Sequence, residues 1–195
     1  VLRSGSVQWM TAGRGIIHSE MPKQSEGRMF GFQLWVNLPK AQKLIAPRYQ
    51  DIPPADVPEV SEQGARVRLL AGAAGGALGP VRDIVTMPTM MDVALAAGQR
   101  FERQLDATQN AFVQVIDGAI AVGDARDPLT KGALAVLGPG EGVALTAAAA
   151  PARLLLLSAN PIGEPVARRG PFVMNTEQEL DQAFADYRAG TLVGG

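Results

Sequence analysis

His18 and Glu20 are the residues of this chain whose types and spacing could carry chemistry. His18 is the only histidine among 195 residues, and the chain has no cysteine. Any imidazole chemistry must therefore pass through His18. Disulfides, thiolate metal sites and cysteine nucleophiles are excluded. Along a strand, successive side chains point to opposite faces, so Ile16, His18 and Glu20 would share one face. Ile17, Ser19 and Met21 would share the other. A His/Glu pair two residues apart can chelate one ion through an imidazole nitrogen and a carboxylate oxygen. That donor set suits non-haem Fe(II), Mn, Co, Ni or Zn. Taken alone, the pattern also describes a surface pair or a hydrogen-bonded core histidine, the commoner outcome for a lone His-x-Glu.

The elements that must position this pair read as short strands separated by turns. Ile16 to Met21 is expected as a strand stopped by Pro22. Met29 to Leu38 alternates Phe30, Phe32, Leu34, Val36 and Leu38 against the intervening residues, the strongest period-two signal in the chain. Gly13-Arg14-Gly15, just before the pair, reads as a tight turn or as an anion-binding nest. Trp9, Phe32 and Trp35 read either as core or as stacking walls of an aromatic pocket. Gln8 and Gln33 are candidate donors behind the pair. Lys40 to Val60 is a proline- and charge-rich connection, with Tyr49 and Ile52 tacking it to a core. Arg66 to Leu70 is a strand, and Ala71 to Pro80 a glycine-alanine loop.

A second series of strands follows from Met90 to Ser158. It covers Asp92–Leu95, Arg100–Leu105, Ala111–Ile116, Ala119–Gly123, Ala133–Leu137, Val143–Thr146 and Arg153–Ser158. Asp117-Gly118 between two of them reads as a hairpin turn. Many short strands at this spacing indicate a sandwich or barrel. The tail differs. Thr176 and Glu179 have capping-box spacing, Leu180, Ala183, Phe184 and Tyr187 form an apolar stripe, and Gly190 stands just beyond. A helix over about Glu177 to Ala189 is expected.

The formal net charge of −1 argues against a protein that works by neutralising phosphates, so direct nucleic-acid binding is not expected. Arg168-Arg169 is the one arginine pair and reads as part of a solvated loop. No apolar run reaches the roughly 18 residues of a membrane helix, so no membrane partner is expected. Val1 to Val7 is not a signal peptide, and a cytoplasmic location is the expectation. The chain starts in mid-pattern and reads as a fragment of a longer protein.

The segment from Val7 to Pro22, VQWMTAGRGIIHSEMP, closely resembles the signature of the pirin family, proteins built from two cupin barrels. The resemblance continues through Gln33-Leu34-Trp35-Val36-Asn37-Leu38-Pro39 and Ala46-Pro47-Arg48-Tyr49-Gln50. It ends with Gly170-Pro171-Phe172-Val173-Met174-Asn175-Thr176 and the helix after it. It implies an all-β fold of two cupin (double-stranded β-helix) barrels, the first incomplete, with a C-terminal helix. Residues 1–83 would hold the later strands of the N-terminal barrel plus a linker. Residues 84–195 would form the C-terminal barrel and the helix.

The resemblance also implies a cofactor. Pirins hold one iron in the N-terminal barrel through an early His-x-His pair and a later His-x-Glu pair. His18 and Glu20 match the later pair as metal ligands. With one histidine, nothing in this chain matches the earlier pair, which the resemblance puts upstream of Val1. The second barrel would be metal-free, because Gln109 and Asn110 stand where a metal-binding cupin has histidines, and apolar residues such as Phe112, Val115 and Leu155 would hold it. Two functions follow by resemblance. One is an iron-dependent dioxygenase of the quercetin 2,3-dioxygenase type, acting on a small aromatic or flavonol-like substrate. In it Glu20 would also be catalytic, taking the substrate's hydroxyl proton. The other is a non-enzymatic, redox-responsive regulator whose partners are transcription factors or metabolic enzymes.

Overall fold

Alternating burial along the strands builds the main apolar core. The computed structural model of the chain describes residues 2–124 and 128–193. In chain order the strands are β1 (Val7–Thr11), β2 (Arg48–Ile52), β3 (Glu59–Glu62), β4 (Ala65–Ala71), β5 (Ala73–Ala74) and β6 (Ala77–Leu78). They continue with β7 (Thr89–Leu95), β8 (Arg100–Gln104), β9 (Asn110–Asp117), β10 (Ala119–Val122) and β11 (Leu129–Thr130). Then come β12 (Leu134–Val136), β13 (Gly142–Ala147), β14 (Ala152–Ala159), β15 (Ala167–Arg169) and β16 (Phe172–Met174). Helix α1 (Glu177–Ala189) closes the series. Contacts divide the chain into two compact units, one of residues 1–9 and 50–161 and the other of 10–49 and 162–195. These units cut the chain elsewhere than the division at 83/84 expected from the sequence.

In the first unit a six-stranded sheet, in the order β12-β9-β14-β7-β4-β3, packs on a four-stranded sheet, β11-β10-β13-β8. From β7 to β10, and again from β12 to β14, successive strands alternate between the two sheets. That winding is the double-stranded β-helix of a cupin. Val67, Leu69, Met91, Val93, Val113, Leu154 and Leu156 point inward from the larger sheet and meet Phe101, Ile120 and Leu145 from the smaller. Burial at every second residue of β4 (Ala65, Val67, Leu69, Ala71) is what a half-buried strand requires. Val115 lies in this core, whereas Phe112 and Leu155 are half-buried and face the other way. A smaller cluster of Ile52, Val57, Ala71 and Val81 takes Val7 and Trp9 against it. Ile52 is thus tacked down as expected, while Tyr49 stays exposed.

Two turns differ from expectation. Asp117-Gly118 is no hairpin, because β9 and β10 belong to different sheets. The chain crosses there from one sheet to the other. Gly118, at φ +74°, packs against Pro151 and Ala152, where an added Cβ would lie 2.9 Å from the Ala152 Cα. The expected glycine-alanine loop contains a small hairpin, β5-β6, turning on Gly75 and Gly76, both at positive φ.

The polar features of this unit hold sheet edges and faces. Asp92, 8% exposed, receives two hydrogen bonds from Arg153, at 2.8 and 2.6 Å, and lies 3.6 Å from Arg68. The three residues come from the adjacent strands β4, β7 and β14, so one carboxylate clips three strands together. Its hydrogen bond pushes the Arg153 guanidinium pKa upward. The Gln63 side chain pairs with both backbone groups of Glu102 at 2.8 Å, covering the open edge of β8.

In the second unit β15 and β16 pair antiparallel, and α1 follows. The Thr176 hydroxyl accepts from the Glu179 N–H, the Glu179 carboxylate accepts from the Thr176 N–H, and Gly190 ends the helix in the left-handed region. Leu180 and Ala183 are buried, and Phe184 and Tyr187 meet Phe172 edge-on. The helix expected from the sequence is therefore present with both caps. Backbone N–H bonds from Asn175 and then Thr176 hold the Glu179 carboxyl below its usual pKa. Among the described residues no helix is long and apolar enough to cross a membrane.

Two outcomes follow. Asp92→Ala removes the carboxylate shared by Arg153 and Arg68 and should cost about 1.5 kcal/mol in urea unfolding, because Arg153 is half-exposed and Arg68 keeps its bond to the Gly5 carbonyl. A depressed carboxyl adds stability above its unfolded pKa of about 4.3 and loses it as pH falls through the folded value. Helical circular dichroism should therefore decline on acidification below that range, and Glu179→Gln should flatten the decline.

Candidate metal-binding segment

The segment bearing His18 and Glu20 belongs to the second unit and forms no strand. The same holds for Met29 to Leu38, in spite of its ten-residue alternation. A strand exists by pairing its backbone with a neighbour, and among the described residues neither stretch has a laddered partner. Several of their apolar side chains are exposed, among them Ile17 at 69%, Phe32 at 52% and Trp35 at 53%, while Ile16, Val36 and Leu38 are half-buried. Phe32 and Trp35 therefore pack into no core. Trp35 instead lies under the Arg168 guanidinium, 4.8 Å from its ring centroid.

The entry to the segment is well defined. Gly15 N–H donates to the Ala12 carbonyl at 3.0 Å, closing a tight turn, and Arg14 N–H donates to the Ile45 carbonyl at 2.9 Å. Gly13 sits at φ +52° with the Ile45 carbonyl against it, leaving no room for a Cβ. Gly13-Arg14-Gly15 is thus a turn docked on a neighbouring loop, and Gly13 answers to that approach.

His18 and Glu20 are both exposed. Glu20 is not unattended. Its Oε1 accepts a hydrogen bond of 3.0 Å from Gln33 Nε2. The other candidate donor, Gln8, is committed to Asp51 at 2.7 Å. Among the described residues no group of three or more histidine, aspartate or glutamate side chains converges on a point. As a candidate metal site the pair therefore offers two donors. In kind it fits a non-haem divalent ion, with one neutral nitrogen and one anionic oxygen, the latter oriented by an amide. In number it supplies two of the three or four ligands such sites use.

A polar cluster in the same unit escaped the sequence reading. Lys43 is buried, donates to Asn37 Oδ1 at 2.6 Å, and has its pKa lowered by that burial against the opposing pull of Glu164 and Glu179. Glu164 accepts from the Lys40 N–H at 2.6 Å and from Asn175 Nδ2 at 3.0 Å. These bonds join the loop after Leu38 to the approach of α1. Asn37 and Asn175 lie in motifs quoted above, yet partners 124 residues apart (Lys40 and Glu164) leave no local signal. Arg169 is likewise occupied, by Glu177, Asp181 and the Phe184 ring.

Comparison with known proteins places this architecture. The family model of the pirin C-terminal cupin domain matches residues 90–193, and the pirin model matches residues 1–36. The chain belongs to the pirin family. A pirin-like protein of Caulobacter vibrioides is 44% identical over 97% of this chain and 68% of its own length. A pirin-like protein of Solanum lycopersicum is 42% identical over 97% of this chain, which spans 65% of that relative. Among solved structures, a quercetin 2,3-dioxygenase from Acinetobacter baumannii superposes with a TM-score of 0.81 at 27% identity, over 97% of this chain and 67% of that one. His18, Glu20 and Gln33 all fall inside the stretch matched by the pirin model.

Gly13→Ala should force the docked turn away from Ile45 and cost at least about 1 kcal/mol. Limited proteolysis should then cut near residue 45 faster than in the unaltered chain.

Proposed function

We propose that this pirin-family protein is a metal-binding bicupin and an iron-dependent dioxygenase of the quercetin 2,3-dioxygenase type. His18 and Glu20 are two of the iron ligands, and Glu20 is also the catalytic carboxylate. The observation that carries this reading is the His18/Glu20 pair, with Gln33 hydrogen-bonded to Glu20, inside the segment matched by the pirin model. The likeness to the Acinetobacter quercetin 2,3-dioxygenase supports the choice of reaction. Bound iron would supply a Lewis acid for the flavonol oxygen and a redox centre for O₂.

The chain's own residues have separable roles. His18 offers an unprotonated ring nitrogen as a neutral ligand, and no hydrogen bond to a described residue competes for it. Glu20 offers a carboxylate ligand that would leave the metal to take the substrate's hydroxyl proton as general base. The exposed Phe32 and Trp35 rings present aromatic faces suited to a planar flavonol.

Metal analysis and flavonol turnover on the full-length protein test this reading, with His18→Ala as control. The expected result is iron that co-purifies, oxygen uptake with a flavonol, and loss of both in His18→Ala. Iron bound through His18 without oxygen uptake on any flavonol would favour a redox-responsive regulator. A protein whose metal content is unchanged in His18→Ala would reject the site itself.

A further inference from the structure

Among the described residues Gln33 is the one side chain with a hydrogen bond to either member of the pair, and it comes from a separate, strongly patterned stretch of chain. Its amide N–H can only donate, and the Glu20 carboxylate can only accept while ionised. The bond of 3.0 Å therefore commits Oε1 to the protein. Oε2 has no hydrogen bond to any described residue. From this asymmetry we propose that Gln33 is a positioning residue for Glu20. It fixes the carboxylate rotamer so that Oε2 is the oxygen offered to a metal ion. The inference rests on the metal-binding reading above and adds a residue to it.

Gln33 is suited to this role by where it lies. Four residues later, Asn37 accepts from the buried Lys43, and Lys40 is bound through its backbone to Glu164. Two residues later, Trp35 is stacked under Arg168. The stretch that presents Gln33 is thus anchored at Trp35, Asn37 and Lys40, although it carries no ladder. The Gln33 side chain itself is exposed and fills no core position. Removing its amide should leave the fold intact and act on Glu20 alone.

Partners that orient a metal-ligating side chain are worth about 10- to 100-fold in metal affinity. Gln33→Met keeps the length and removes the donor, and Gln33→Asn keeps the amide. Co(II) titration of the full-length protein, followed by its visible absorption bands, reads affinity and ligand geometry without any turnover. Wild type should bind through His18, with binding lost in His18→Ala. Gln33→Met should bind about tenfold more weakly with displaced bands, at an unchanged metal-free melting temperature, and Gln33→Asn should recover part of the loss. Binding by Gln33→Met within twofold of wild type, with unshifted bands, would overturn the positioning role while leaving the metal site standing. A fall in melting temperature that accounts for the weaker binding would overturn it too, by making Gln33 structural. Wild type that binds no Co(II) would overturn both readings together, and that outcome is visible in the first titration.

Discussion

Burial of alternate side chains between two facing sheets is the constraint on which the first unit depends. Phe101, Ile120 and Leu145 enter from the smaller sheet, and Met91, Val93, Leu154 and Leu156 from the larger. Every one of these positions is odd or even in step with its strand, so a slip of one residue would turn an entire strand inside out. The core is filled by apolar side chains, with Phe101 and Met91 among the aliphatic ones. Gln109 donates a hydrogen bond to Asn160 at 3.0 Å.

The second unit obeys a different rule. Its buried side chains are few, and they include Lys43 and Asn175 beside Leu180 and Ala183. What holds it together is polar and aromatic. Glu164 collects the Lys40 backbone and the Asn175 amide, Glu179 closes the helix cap, and Arg168 and Arg169 lie over Trp35 and Phe184. Such contacts are directional, so they fix the path of a chain that has no ladder to follow. The metal-ligand candidates sit on that path. Their geometry is set by a hydrogen bond from Gln33 and by the docked turn at Gly13, two constraints of a few atoms each.

Legibility in the sequence tracks how local each cause is. The C-terminal helix was legible to the residue, because its caps, stripe and stop lie within fifteen positions of one another. The strands of the second series were legible for the same reason. Gly118 was misread: Asp-Gly between two apolar strands has the local look of a hairpin, yet its neighbour is Pro151, brought in by the fold. Met29 to Leu38 was misread in the opposite sense. Alternation reports which side chains could share a face, and pairing still requires a second backbone.

The candidate site divides along the same line. The sequence by itself determined the donors: one histidine, one glutamate two residues on, and no thiolate to compete with them. It also determined the family, through a contiguous run of residues around that pair. Only the tertiary structure decided that Gln33, and not Gln8, reaches Glu20, and that Lys43 is buried against Asn37. Only the fold put Arg168 over Trp35. Donor identity is a property of side-chain chemistry and can be read one residue at a time. A hydrogen bond between distant residues depends on where the intervening chain is anchored, and here the anchors are side-chain hydrogen bonds and a guanidinium over an indole ring, which leave no periodic trace.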